Sequence, residues 1–143
     1  MALRQGAVAN KRGNEMLTNG EMDFGYEGPA IDLDPAIFDR KHLRQYTSGD
    51  AGLERELLGL FLGQFTPIRT QLDGAATATD WKFAAHTLKG SARSIGAPQI
   101  GALAEQLELM GFEAPADSRA QVLADLDRAL AAFAAEAAKV LAA

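Results

Sequence analysis

The sequence predicts an all-α fold, an antiparallel four-helix bundle with a short additional helix at its N-terminal side. Three observations lead there. From Asp32 onward apolar residues recur close to every 3.6 positions, and β-branched runs are few. The interruptions between the periodic segments are short and carry helix-capping residues. A chain of 143 residues is long enough for one domain with a core, and four substantial helices on short connections bury their apolar stripes by packing side by side.

Residues 1–30 differ from the rest. They are rich in Gly, Asn and Met and lack sustained periodicity, so they are expected to be a disordered tail, with 31–143 forming the domain. Asp34-Pro35 reads as a helix start, Asp as cap and Pro in the first turn, opening a short helix to about Tyr46. Thr47-Ser48-Gly49-Asp50 breaks it and supplies the next cap. The second helix carries Leu53, Leu57, Phe61, Phe65, Ile68 and Leu72 as its stripe. Pro67 lies inside it, where its ring would strike the carbonyl of Gly63, so a kink is expected.

Thr79 or Asp80 caps the third helix, which runs to about Ile95 and stops at Gly96. Pro98 starts the fourth, with Ile100, Leu103, Leu107 and Met110 inward. Gly111 to Asp117 reads as a turn. The last helix directs Val122, Leu126, Ala129, Leu130, Phe133, Ala137 and Leu141 to the core, and its alanine-rich end favours helix.

Composition narrows the function. The net charge of −5 argues against nucleic acid, whose phosphates are held by basic surfaces. Without cysteine there is no disulfide and no thiolate chemistry, which suits a cytoplasmic protein. No apolar run approaches the roughly 20 residues that span a bilayer. Arg4, Lys11 and Arg12 are not followed by an apolar stretch, so no signal peptide is expected.

The third helix holds the most informative stretch. At about 100° per residue, Trp81, Ala85, Leu88, Ala92 and Ile95 fall on one side, the core side. His86 falls opposite, with Lys82, Lys89, Gly90 and Arg93. Such cations disfavour the imidazolium, keep a neutral nucleophilic nitrogen available near pH 7, and would stabilise a phosphoryl group bonded to it. Gly90 costs the helix roughly 1 kcal/mol against alanine. On an outward face packing gives no reason for it, and clearance for an approaching protein does. The bland alternative is an ordinary solvated basic face. His42, among Arg40, Lys41 and Arg44, has no neighbouring ligand set for a metal. No Gly-rich phosphate loop is present, so self-phosphorylation from ATP is not expected.

The run His86-Thr87-Leu88-Lys89-Gly90-Ser91-Ala92, then Gly96-Ala97 and Leu107-Glu108, resembles the signature of histidine-containing phosphotransfer (HPt) domains of two-component phosphorelays. The resemblance covers roughly Leu33 to Leu141, and Phe61-Leu62 and Asp80-Trp81 are also similar. It implies that His86 is phosphorylated on its distal ring nitrogen. Lys89 would neutralise the phosphoryl group, and Gly90 would clear space for a receiver-domain aspartate. Glu108 would accept a hydrogen bond from the other ring nitrogen and orient the imidazole, at a position where many relatives have Gln.

The implied protein is a stand-alone, monomeric, cytoplasmic phosphocarrier. Its partners are response-regulator receiver domains and a sensor (hybrid) histidine kinase, with no nucleic acid and no membrane. It carries no cofactor of its own; Mg2+ is expected in the partner receiver. The alternatives are a non-catalytic helical adaptor that docks signalling proteins, or the detached phosphoacceptor module of a chemotaxis-type kinase. A metal-dependent hydrolase is more distant, because carboxylates do not cluster with the histidines in the motif. Docking specificity is expected in apolar residues of the first two helices, with Ile37, Phe38 and Leu62 as candidates.

Overall fold

The computed structural model describes residues 31–143, and all their regular structure is helical. The tail expected over 1–30 lies outside the described residues. The helices are α1 (Arg40–Thr47), α2 (Ala51–Asp73), α3 (Ala78–Ile95), α4 (Pro98–Met110) and α5 (Ala116–Leu141). Helix α2 packs on α3, α3 on α4, α4 on α5, and α5 back on α2. With short connections between successive helices, this closed ring is the antiparallel four-helix bundle that the periodicity predicts. Helix α1 lies against α2 and α3.

Phe133 of α5 anchors the core, with Phe38 at 5.0 Å and Phe61 at 5.4 Å between ring centroids, both edge-on. Leu58, Leu88, Ile100, Leu107 and Leu126 are fully buried around it.

Several boundaries differ from the sequence reading. Asp34 does not open a helix. Its Oδ1 accepts from the Ala36 N–H and its carbonyl from Ile37 and Phe38, closing a turn that drops Phe38 into the core. Helix α1 starts five residues later, where the Asp39 side chain accepts from the His42 N–H. Asp39 is held there by Gly96: its N–H donates to the Gly96 carbonyl at 2.8 Å. Gly96 ends α3 with φ +88°, and a Cβ on it would lie 2.4 Å from the Asp39 carbonyl oxygen. Both the left-handed backbone and the close passage of α1 require glycine there.

The α2 stripe is also displaced at its start. Glu54 and Leu58 are buried, while Leu53 is exposed and Leu57 half-buried. Positions 54, 58, 61, 65, 68 and 72 alternate spacings of four and three, which keeps them on one face; successive spacings of four swing Leu57 and Leu53 progressively off it. Glu54 tolerates burial because Arg40 of α1 donates to both of its oxygens at 2.8 Å. Pro67 sits within α2, which is helical from Ala51 to Asp73.

Thr77, not Thr79 or Asp80, caps α3: its hydroxyl accepts from the Asp80 N–H. In α4 the small residues Gly101 and Ala104 are buried beside Ile100 and Leu107, while Leu103 and Met110 are half-buried. Helix α5 begins at Ala116, inside the expected turn, and buries Leu123 and Val140 where Leu130 and Leu141 were expected. Among the described residues no helix is long and apolar enough to cross a membrane.

Candidate functional site

The α3–α4 pair is set by Trp81. Its ring is buried, and its Nε1–H donates to the Leu107 carbonyl at 2.8 Å, just ahead of Glu108. The Arg119 guanidinium of α5 covers the Trp81 and Phe112 rings at 5.4 and 5.1 Å. Farther along, Gly101 lets α4 close on α3: a Cβ there would meet Arg93 Cγ at 3.2 Å. The two helices are thereby held in one register, close enough for side chains on α4 to reach the outer face of α3.

The core side of α3 is as expected, with Ala84 added to Trp81, Ala85, Leu88, Ala92 and Ile95. His86 therefore stands on the outer face, its side chain 67% exposed. Its Nδ1 lies 3.1 Å from Glu108 Oε2. The other carboxylate oxygen, Oε1, lies 2.8 Å from Lys89 Nζ. The Lys89 ammonium, and then the imidazole, hold the Glu108 carboxyl below the usual carboxylate range, against the opposing effect of desolvation. An ionised carboxylate can only accept, so His86 Nδ1 carries the hydrogen and donates it. In the neutral ring, Nε2 is then the nitrogen with the free lone pair.

The structure thus brings His86, Lys89 and Glu108 into one cluster, with Gly90 at its edge. Gly90 is exposed, and a Cβ added to it would meet nothing within 4 Å. The expected crown of free cations is corrected. Lys89 is half-buried against Glu108, and Arg93 pairs with Glu105 at 2.5 Å; Lys82 is exposed. Sequence reasoning missed Glu105. Its signal was the spacing: Glu105 and Glu108, three apart on α4, match Lys89 and Arg93, four apart on α3.

Of the docking candidates, Phe38 is buried in the core, while Ile37 and Leu62 are half-buried at its edge. Apolar residues that do face solvent include Tyr46 of α1, Leu60 of α2, Phe83 of α3 and Leu109 of α4. Tyr46, Leu57, Leu60 and Gln64 line one side of a groove of about 360 Å3, and Ser91 and Ser94 of α3 line the other. Leu60 lies off the core stripe of α2, as an exposed contact residue must.

His42 plays a local part, its ring edge-on to Tyr46 at 5.4 Å. Among the described residues no three His, Cys, Asp or Glu side chains are grouped to hold a metal ion.

The Hpt domain family model matches residues 56–137, from α2 into α5, a span that includes His86, Lys89, Gly90 and Glu108. No curated protein and no solved structure matches the chain. The match extends over more than half of the 143 residues and coincides with the four-helix ring, so the chain belongs to the Hpt domain family, the histidine phosphotransfer modules of phosphorelays.

Proposed function

We propose that this chain is a phosphocarrier of a two-component phosphorelay, with His86 as the phosphorylated residue. The observation that carries the reading is the contact between an exposed imidazole and a carboxylate that can only accept, 3.1 Å from Nδ1. In the neutral ring it leaves Nε2 as the nucleophile, on a side chain that is largely exposed.

The Nε2 lone pair attacks the phosphorus of a receiver's aspartyl phosphate. The N–P bond forms, the P–O bond to the aspartyl group breaks, and the leaving electron pair stays on the receiver's carboxylate. The Nδ1 proton does not move. The phosphorylated ring is then cationic, and Glu108 faces that charge. The return step is the reverse. Phosphoryl transfer asks mainly for positioning and charge stabilisation, which Glu108 and Lys89 supply. Lys89, one helical turn from His86, shares its ammonium between Glu108 and the phosphoryl oxygens. Gly90 leaves the approach open. Mg2+ belongs to the receiver's acidic pocket, and this chain holds no cofactor. The partners are response-regulator receivers and a hybrid histidine kinase, met by a monomer in the cytoplasm.

The test is incubation with a panel of radiolabelled phosphorylated receivers. The expected product is an acid-labile, base-stable phosphoprotein that the His86→Gln variant fails to form. Label on the variant at the wild-type rate would remove His86 from the reaction. Partner binding that survives in the variant, without any phosphotransfer in the wild type, would make the chain an adaptor.

A further inference from the structure

Phe83 has no role in the fold. It is 68% exposed, whereas Phe38, Phe61, Phe65 and Phe133 are all buried. It stands three residues before His86 on the same helix, a separation that puts the two Cβ atoms about 5–6 Å apart. It lies on the α2 side of the imidazole, the side opposite Glu108. There it lines a cavity of about 410 Å3 with Gln71 of α2, Gly74 and Ala75 of the α2–α3 turn and Thr79 and Asp80 of α3.

The surface around His86 is therefore two-sided. Toward α4 it is ionic, with Lys89 and Arg93 each on a carboxylate. Toward α2 it is apolar, with Phe83 at one end and Tyr46 and Leu60 at the other. A protein that brings phosphorus into bonding distance of Nε2 covers a patch of about 800 Å2, and a side chain 5–6 Å from the reacting histidine falls well inside it. The exposed Lys82, one helical turn before His86, suits an acidic pocket, as an aspartyl phosphate site is. An aromatic side chain that loses its water at the centre of such a contact is the usual place where binding energy concentrates.

We infer that Phe83 is the anchor by which this chain holds the receiver: it seats in an apolar rim beside the receiver's acidic phosphoaspartate pocket, sets affinity, and takes no part in the chemistry at His86. The inference rests on the phosphocarrier reading and names the residue that selects the partner in it.

The experiment uses the full chain and two phosphodonors. Phosphoramidate has no surface to dock; its phosphoryl group passes to Nε2 as the P–N bond breaks and ammonia leaves. The second donor is the phosphorylated receiver that labels the wild type fastest. Phe83→Ala takes label from phosphoramidate at the wild-type rate. Its apparent KM for the receiver rises about tenfold, while the rate at saturation stays within about twofold. Phe83→Leu, which keeps an apolar contact, recovers most of the loss, and circular dichroism verifies that both variants are folded. An unchanged KM overturns the inference. So does slower labelling by phosphoramidate, which would place Phe83 in the chemistry of the imidazole. A wild type that takes label from phosphoramidate but from no receiver overturns the docking partner and leaves His86 reactive. A wild type that takes label from neither donor ends the phosphocarrier reading itself.

Discussion

Glu108 Oε2 and His86 Nδ1 meet at 3.1 Å across the α3–α4 seam, and the carboxylate is the member whose state is fixed. With Lys89 on its other oxygen, it stays ionised below the usual carboxylate range, and it dictates which ring nitrogen carries the hydrogen.

Removing that acceptor should free the ring. Glu108→Ala is expected to slow single-turnover phosphotransfer by about 10- to 100-fold, by analogy with the loss when the hydrogen-bond partner of a metal-bound imidazole is deleted. Glu108→Gln keeps an acceptor oxygen and should lose less. The check that separates positioning from a general structural effect is the ring nitrogen shift of His86 by NMR: one dominant tautomer in the wild type, a mixture in Glu108→Ala.

Gly90 should behave as clearance. The open space around its Cβ position means that Gly90→Ala stabilises the fold by about 0.5–1 kcal/mol, through the lower entropy of the unfolded chain. Gly90→Gln should fold as well as the wild type and accept phosphate from phosphoramidate, yet transfer poorly with a receiver. Thermal unfolding and both transfer assays on one preparation decide the matter. A collapse in melting temperature would place position 90 at a packed contact.

The ion pair between Arg40 and Glu54 binds α1 to α2, with side chains 15% and 4% exposed. Arg40→Ala leaves a carboxylate buried without its guanidinium and should cost about 3 kcal/mol or more. The double replacement Arg40→Met with Glu54→Leu removes both charges and should regain most of that loss. Chemical denaturation of the single and double variants measures it. A single variant as stable as the wild type would show that the pair contributes nothing.

Much of this architecture was legible in the sequence, and the misses share a cause. The α3 stripe and the Gly96 stop were readable because apolar periodicity and a chain break are local signals. Glu54 sat on the correct face of α2, but its charge disguised it, since its partner Arg40 lies 14 positions away. The start of α1 was misplaced because Asp34 and Asp39 are both capping residues, and the choice between them is made by Gly96, on another helix. In the site, His86, Lys89 and Gly90 followed from spacing on one helix. The contact with Glu108 came from resemblance, and the neutralisation of Lys89 and Arg93 depends on the register between two helices.

Acid should release the segment before α1. Glu136 of α5 accepts from the Asp34 N–H at 2.8 Å and pairs with Lys139, which itself donates to the Asp32 carbonyl. The Asp34 N–H first, then Lys139, lower the carboxyl from its ordinary 4.5. A depressed carboxyl stabilises fully above its ordinary value, and the contribution is lost as pH falls through the lower folded value. The protection of the Asp34 amide relative to its intrinsic exchange rate, followed by NMR, should therefore be high above that range and fall below it. In Glu136→Ala that protection should be low at every pH.

Because one carboxylate on α4 serves two side chains on α3, the tautomer of the histidine is a property of a hairpin and not of a helix. A peptide of α3 alone carries the same residues in the same order, yet its imidazole samples both tautomers and its lysine is solvated. On the proposed reading, the favoured tautomer of His86 depends on the α3–α4 register that Trp81 fixes through the Leu107 carbonyl. The rate at which His86 takes up phosphate from a small donor is then a gauge of tertiary structure: loosening the seam anywhere between Gly101 and Leu107 should dim that signal before any helix melts.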